Sequence, residues 1–272
     1  MSLVYAGVCC HAPGITNRPE AADADDFRAL SDEFARMRQA IETSQPDALF
    51  VISAEHFANF FSNNMPAYSI GMADHYVGPI EDPDWLGIPR RKVPGAKGLS
   101  RRIIEHTLQH ADTGYAEEWK FDHGIMVPLH HLTPNYDIPI IPANINCQAP
   151  PFSPLSRAYE FGQAIRKAFD SIPERIALIS TGGTSHWPCT PDSGKINQAW
   201  DEAFLARWAR HDVEAMTAYH DEELVGDAGA GALEIRTSIA VAGAAGGFGE
   251  INFYKPIPEF ACGCLFASMS IN

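Results

Sequence analysis

No run within the 272 residues is long and apolar enough to cross a bilayer. The first ten residues have no basic n-region, so a secretory leader is not expected and the chain reads as cytoplasmic. Cations are scarce: 20 Lys and Arg stand against 34 Asp and Glu, a formal charge of −14. A nucleic-acid partner needs the opposite balance, because binding exchanges counterions for Lys and Arg. An anionic membrane surface would repel such a chain. The six cysteines occur as CC, CxC and isolated residues, with no CxxC, which excludes a disulfide framework and leaves reduced thiols. Signature loops are missing too. There is no GxGxxG after a strand, no P-loop, no HExxH and no GxSxG, so dinucleotide, nucleoside-triphosphate, zincin and serine-hydrolase chemistry have no motif to stand on.

What is present is an ordinary globular composition, 46% apolar and 20% charged, with no internal repeat or linker. One domain over residues 1–272 is expected. Short β-rich runs occur at Leu3–Cys9, Ala48–Ser53, Tyr68–Gly71, Ile138–Ile145, Arg175–Ser180, Glu250–Tyr254 and Gly263–Ser268. Leu49-Phe50-Val51-Ile52 and Ile176-Ala177-Leu178-Ile179 are unbroken apolar runs, the pattern of strands covered on both faces. Helical spacing lies between them, clearest in Phe27, Leu30, Phe34, Met37 and Ile41. Leu99, Ile103 and Leu108 mark a second helix. Leu155, Tyr159, Ile165 and Phe169 mark a third, and Trp200, Phe204 and Trp208 a fourth. The Ala-rich stretch Gly231–Ala245 reads as a fifth. This alternation predicts a three-layer α/β/α domain with a mixed, largely parallel central sheet. Ile80–Lys97, rich in Pro and Gly, reads as a long surface loop, and the glycines of residues 243–249 as a turn.

Eleven histidines are many for this length, and three share a context. The runs LVYAGVCC, DALFVISAE and RIALISTGGTS end at His11, His56 and His186. Ligands of open α/β sheets bind beyond the carboxyl ends of the strands, so parallel strands would bring these imidazoles together. Any one of them, taken singly, reads more readily as a loop histidine bonded to backbone. Imidazoles with a carboxylate suit a first-row transition metal. The candidate carboxylate is Glu234, between Leu233 and Ile235, where burial demands a partner; a salt bridge to Arg236 is the competing explanation. His123, after Asp122, is either a second pocket histidine or a helix-start residue. His106 and His110 fall on the polar side of their helix, and His211 and His220 on a charged, solvated one.

These pieces together resemble the class III, LigB-type extradiol ring-cleaving dioxygenases. The matching segments are the strand ending in His11, Glu55-His56, Asp122-His123-Gly124 with Val127-Pro128-Leu129, residues 180–186 (STGGTSH), Gly231-Ala232-Leu233-Glu234, and residues 253–258 (FYKPIP). The resemblance implies a non-haem Fe(II) held by His11, His56 and Glu234, with His186 as acid/base and His123 as a second pocket histidine. It implies an aromatic diol or 2-aminophenol and O2 as reactants, with ring opening beside the diol. A homo-oligomer is implied, with a small α subunit in some relatives; otherwise the Ile80–Lys97 segment would cover the pocket. Arg18, Arg90, Arg91 and Lys255 are candidate contacts for a carboxylated substrate. Two alternatives use the same residues: a zinc-dependent hydrolase or lyase, since two His and one Glu also describe a catalytic zinc site, and a non-catalytic binding protein of the same fold.

Overall fold

The unbroken apolar runs form the middle of one eight-stranded sheet in the computed structural model, which describes residues 2–272. The strands are β1 (Leu3–Cys9), β2 (Ala48–Ser53), β3 (Tyr68–Gly71), β4 (His75–Gly78), β5 (Arg91–Pro94), β6 (Gly114–Ala116), β7 (Ile140–Ile145), β8 (Ile176–Thr181), β9 (Gly246–Ile257) and β10 (Cys262–Ile271). Their order across the sheet is β6-β3-β7-β2-β8-β1-β10-β9, and β4 pairs with β5 as a separate ribbon. The central four, β7, β2, β8 and β1, run parallel. Antiparallel pairing begins at β3 on one side and β10 on the other, and β6 runs parallel to β3. The sheet is therefore mixed with a parallel centre, as expected.

Side-chain alternation sends the central strands into two cores. Phe50, Ile52, Ile176 and Leu178 pack under helices Lys97–Thr107, Leu155–Asp170, Gln198–Ala209 and Ile235–Ala245. Leu49, Val51, Ala177 and Ile179 pack on the opposite face against helices Ala24–Ser44 and His123–Leu132. Helices on both faces make the α/β/α architecture. The Ala-rich helix is buried along its whole length and meets helix Leu155–Asp170 at Gly162 and Gly243, where a Cβ would collide with the partner backbone. That close approach explains why a stretch of Ala and Gly sits in a core.

Three expectations need correction. Ile80–Lys97 is not a long surface loop. It holds a short helix, Pro83–Leu86, and β5, with Leu86, Ile88 and Val93 fully buried. Its Pro and Gly are helix punctuation: Asp82 caps the amides of Asp84 and Trp85, Pro83 opens the helix, and Gly87 ends it at φ 74°. The glycines before β9 are only partly a turn. Gly246 ends the helix at φ 74°, and β9 begins there. Gly247 and Gly249 lie within the strand, close against the Ser270 backbone and the Trp208 ring. Finally, His211 is not a solvated helix residue. It turns the chain at φ 54°, with its ring between the Tyr159 hydroxyl (2.9 Å) and the Gly247 carbonyl (2.6 Å).

Candidate active site

Three adjacent parallel strands, in the order β2-β8-β1, end in register: Thr181 lies opposite both Ser53 and Cys9. The chain then leaves the sheet, and His11, His56 and His186 follow within two to five residues of those ends. The parallel centre thus delivers the convergence that the strand-end pattern predicts. His123 joins them from the start of helix His123–Leu132, and Glu234 from the end of the one-turn helix Ala230–Glu234.

All five side chains meet. Glu234 Oε1 is 3.2 Å from His56 Nε2, and Oε2 is 3.5 Å from His11 Nε2 and 4.0 Å from His186 Nε2. The His123 ring centroid is 4.1 Å from that of His56 and 5.6 Å from that of His11. His11, His56 and His123 also offer ring nitrogens within 4.8 Å of one another.

The imidazoles share a further property. Each has Nδ1 tied to a protein acceptor, leaving Nε2 for the pocket. His11 Nδ1 is 3.1 Å from Thr181 Oγ1, whose own proton goes to the Gly124 carbonyl at 2.7 Å, so the imidazole N–H donates. His56 Nδ1–H donates to Asp122 Oδ2 at 2.7 Å, and its backbone N–H to the same oxygen at 2.9 Å. His123 Nδ1–H and backbone N–H donate to Glu81 Oε1 at 2.7 and 2.9 Å. His186 Nδ1–H donates to the Thr184 carbonyl at 2.9 Å. Gly231 lies flat against the His186 ring, where any Cβ would collide with it.

Charge at the site is paired internally. Burial works to raise the Glu234 carboxyl, but the His11, His56 and His186 imidazoles hold it well below the usual carboxylate range. Burial pulls His56 down, yet Asp122 and Glu234 outweigh it and raise the ring to about 10. Asp122, itself buried, is depressed by the His56 imidazole. His123 is lowered by burial and by the neighbouring His56. Glu81, despite burial, is lowered by the hydrogen bonds from His123. Arg236 does not serve Glu234. Its guanidinium goes to Asp221 and to the carbonyls of Ser153 and Leu233. Among the described residues, the only other hydrogen bond to the Glu234 carboxylate comes from the Gly183 amide at 3.1 Å.

A metal ion suits this donor set. Two cis donors each about 2.1 Å from one ion lie roughly 3.0 Å apart, close to the 3.2 and 3.5 Å seen here. A bound metal ion would replace the His56 proton as the positive partner of the buried Glu234 carboxylate, which no Arg or Lys serves among the described residues.

Several supports were not legible as functional. Glu81 has no sequence signal, because its neighbours Asp82-Pro83 read as turn punctuation. Asp122 belongs to the Asp122-His123-Gly124 segment, but its side chain orients His56 instead of capping its helix. Asp201 is fully buried and accepts from the Ser185 amide (2.7 Å), the Ser185 hydroxyl (2.8 Å) and the Tyr254 hydroxyl (2.6 Å). It braces the loop that presents His186, which explains Tyr254 in the residue 253–258 segment. The segment expected to cover the pocket does reach it, through Glu81 on His123. Of the basic candidates, Arg90 is spent on the carbonyls of Pro79, Ile80 and Glu81, and Lys255 pairs with Asp26 at 2.9 Å.

A doubly covered α/β sheet with imidazoles and a carboxylate gathered at its carboxyl edge is the architecture of a metalloenzyme. The chain belongs to the family described as the catalytic LigB subunit of aromatic ring-opening dioxygenase, which matches residues 5–261. It is 27% identical to a 2,3-dihydroxyphenylpropionate/2,3-dihydroxicinnamic acid 1,2-dioxygenase of Dechloromonas aromatica (strain RCB), over 84% of this chain and 86% of that one. It is 26% identical to the enzyme of the same name from Rhodococcus rhodochrous, over 93% of each. Among solved structures, an uncharacterized protein of Escherichia coli K12 shares the fold, with a TM-score of 0.58 at 18% identity, over 87% of this chain and 92% of that one.

Proposed function

We propose that this protein is an Fe(II)-dependent extradiol dioxygenase acting on a catechol-type ring, with the chain working as one catalytic domain. His11, His56 and Glu234 hold the metal, and His186 and His123 serve the substrate. The observation that carries this reading is the uniform anchoring of Nδ1 on four imidazoles, three of which bring Nε2 to within 4.0 Å of one buried carboxylate. Two histidines and one carboxylate with open positions are the ligand set of non-haem Fe(II) oxygenases. Ferrous iron, when bound, supplies the redox-active centre at which diol and dioxygen are gathered.

The protein residues do the rest. His186 Nε2, fixed by Thr184, accepts a phenolic proton and later returns it. His123, held neutral by burial and by His56, presents Nε2 as a hydrogen-bond acceptor toward the ring. Glu234 is chosen over His123 as third ligand because its carboxylate oxygens lie 3.2 and 3.5 Å from His56 Nε2 and His11 Nε2, and no Arg or Lys among the described residues serves its charge. Relatives named for 2,3-dihydroxyphenylpropionate make alkanoate-bearing catechols the first substrates to try. Arg18 and Arg91 are the carboxylate contacts still open. A cytoplasmic homo-oligomer completes the reading. It agrees with six free cysteines and with the lack of any membrane-length apolar helix among the described residues.

The test is anaerobic loading with Fe(II) or with Zn(II), followed by oxygen uptake on a panel of catechols, dihydroxyphenyl-alkanoates and 2-aminophenols. Uptake with ring-fission product from the iron form alone is expected. His56→Ala should lose iron, and His186→Ala should keep iron while turning over slowly. Activity only in the zinc form, without oxygen consumption, would replace this reading with a hydrolase or lyase.

A further inference from the structure

Directly behind the imidazoles lies a second cluster of ligating side chains that ring cleavage does not use. Antiparallel pairing of β1 with β10 brings the two ends of the chain together, Cys9 opposite Phe266. Cys262 and Cys264, two apart on β10, therefore meet Cys10, the residue after β1. Cys10 Sγ is 3.6 Å from Cys264 Sγ and 4.0 Å from Cys262 Sγ, and all three sulfurs lie within 4.8 Å of one another. None is in a disulfide, and their exposures are 0, 4 and 0%.

We propose that Cys10, Cys262 and Cys264 form a site for a soft monovalent metal ion, Cu(I) being the physiological case. Three sulfurs about 2.3 Å from a shared ion in a trigonal plane are about 4.0 Å apart, so the observed spacing admits the ion without moving the strands. The chemistry of the donors selects the ion. An all-sulfur set favours soft metals over the hard cations that take oxygen ligands. Zinc needs a fourth ligand, from the protein or from water; no fourth Cys, His, Asp or Glu joins this group among the described residues, and the burial of the three sulfurs leaves no open face for water. Cu(I) accepts three sulfurs, and the dry surroundings shield it from water. The Ala12 amide donates to Cys10 Sγ at 3.5 Å and offsets part of the sulfur charge.

The cluster is mechanically joined to the iron-site residues. Cys10 is bonded to His11. Cys262 packs so tightly under Gly183 that a Cβ there would overlap its sulfur, and the Gly183 amide holds Glu234.

The experiment titrates the full chain anaerobically with Cu(I) against a Cu(I)-specific chelator, and records X-ray absorption on the wild type. One equivalent with sulfur-only coordination is expected. Binding should persist in His56→Ala, which disables the proposed iron site, and in Cys147→Ala, a buried thiol elsewhere. Cys262→Ala and Cys264→Ala should each weaken it by more than the about 10–100-fold that losing an outer contact costs. Nitrogen ligands in the wild-type spectrum, no chelator-resistant copper, or undiminished affinity in the folded Cys→Ala variants would overturn the proposal. Because the spectrum is read on unmutated protein, an unstable variant does not shield it.

Discussion

Asp122→Asn changes one buried atom and asks how far the metal site depends on what stands behind it. Asp122 is 2% exposed, and its Oδ2 receives both N–H groups of His56, at 2.7 and 2.9 Å. Asn keeps the shape and one carbonyl oxygen but removes the charge. Hydrogen bonds to a charged acceptor contribute about 1.5–3 kcal/mol each, against about 0.5–1.5 for neutral ones. Two such bonds would lose roughly 2–3 kcal/mol in total, part of it returned because Asn is cheaper to bury. The net effect on Fe(II) affinity should match the about 10–100-fold typical of outer partners of a ligating histidine, equivalent to about 1.4–2.7 kcal/mol. Asp122→Ala should cost more, since a buried Nδ1–H is left without an acceptor. Anaerobic Fe(II) titration with a fluorescent competitor measures both, and thermal melting of the apo forms checks that the fold survives. Unchanged iron affinity in both folded variants would refute the reasoning, because His56 would then not be a ligand oriented by Asp122.

Other consequences follow from the same geometry. His56 is raised to about 10 in the folded apo protein, so its proton stabilises the fold fully below the unfolded value of about 6.5 and this contribution is lost as pH rises through about 10. Iron binding must expel that proton. One proton should be released per iron at pH 7, with affinity rising as pH climbs toward 10, and a pH-stat titration showing no release would contradict this. Gly231→Ala places a Cβ against the His186 ring; iron content should hold while kcat falls about 100-fold, the usual cost of a displacement near 1 Å, as steady-state oxygen uptake would show. Asp201→Ala leaves Ser185 and Tyr254 without their acceptor. Since burial already raises the Asp201 pKa, the net loss should be about 2–4 kcal/mol, read as a lower urea midpoint with unchanged m.

Much of this molecule is written in local pattern. The 3–4 spacing of Leu30, Phe34, Met37 and Ile41 is the buried face of helix Ala24–Ser44. The strand-end positions of His11, His56 and His186 mark the site because parallel strands share one carboxyl edge. Strand order, by contrast, depends on contacts between distant segments, and only the observed neighbours β2, β8 and β1 turn that pattern into proximity. Glu81, Asp122 and Asp201 act through partners 42, 66 and 16 residues away, so no window of sequence displays their roles. Only the start of edge strand β9 is obscured, for a different reason: its glycines serve close packing inside a strand while resembling a turn. In Ile80–Lys97, Pro and Gly signals for starting and stopping a short helix are the same signals that mark a loop.

The most direct measurement is the position of iron itself, by anomalous diffraction at the iron edge from crystals loaded anaerobically with Fe(II). One peak is predicted within bonding distance of His11 Nε2, His56 Nε2 and the Glu234 carboxylate, with His123 and His186 nearby but unbound. A peak bound by His123 in place of Glu234, or located away from His11 and His56, would contradict the assignment.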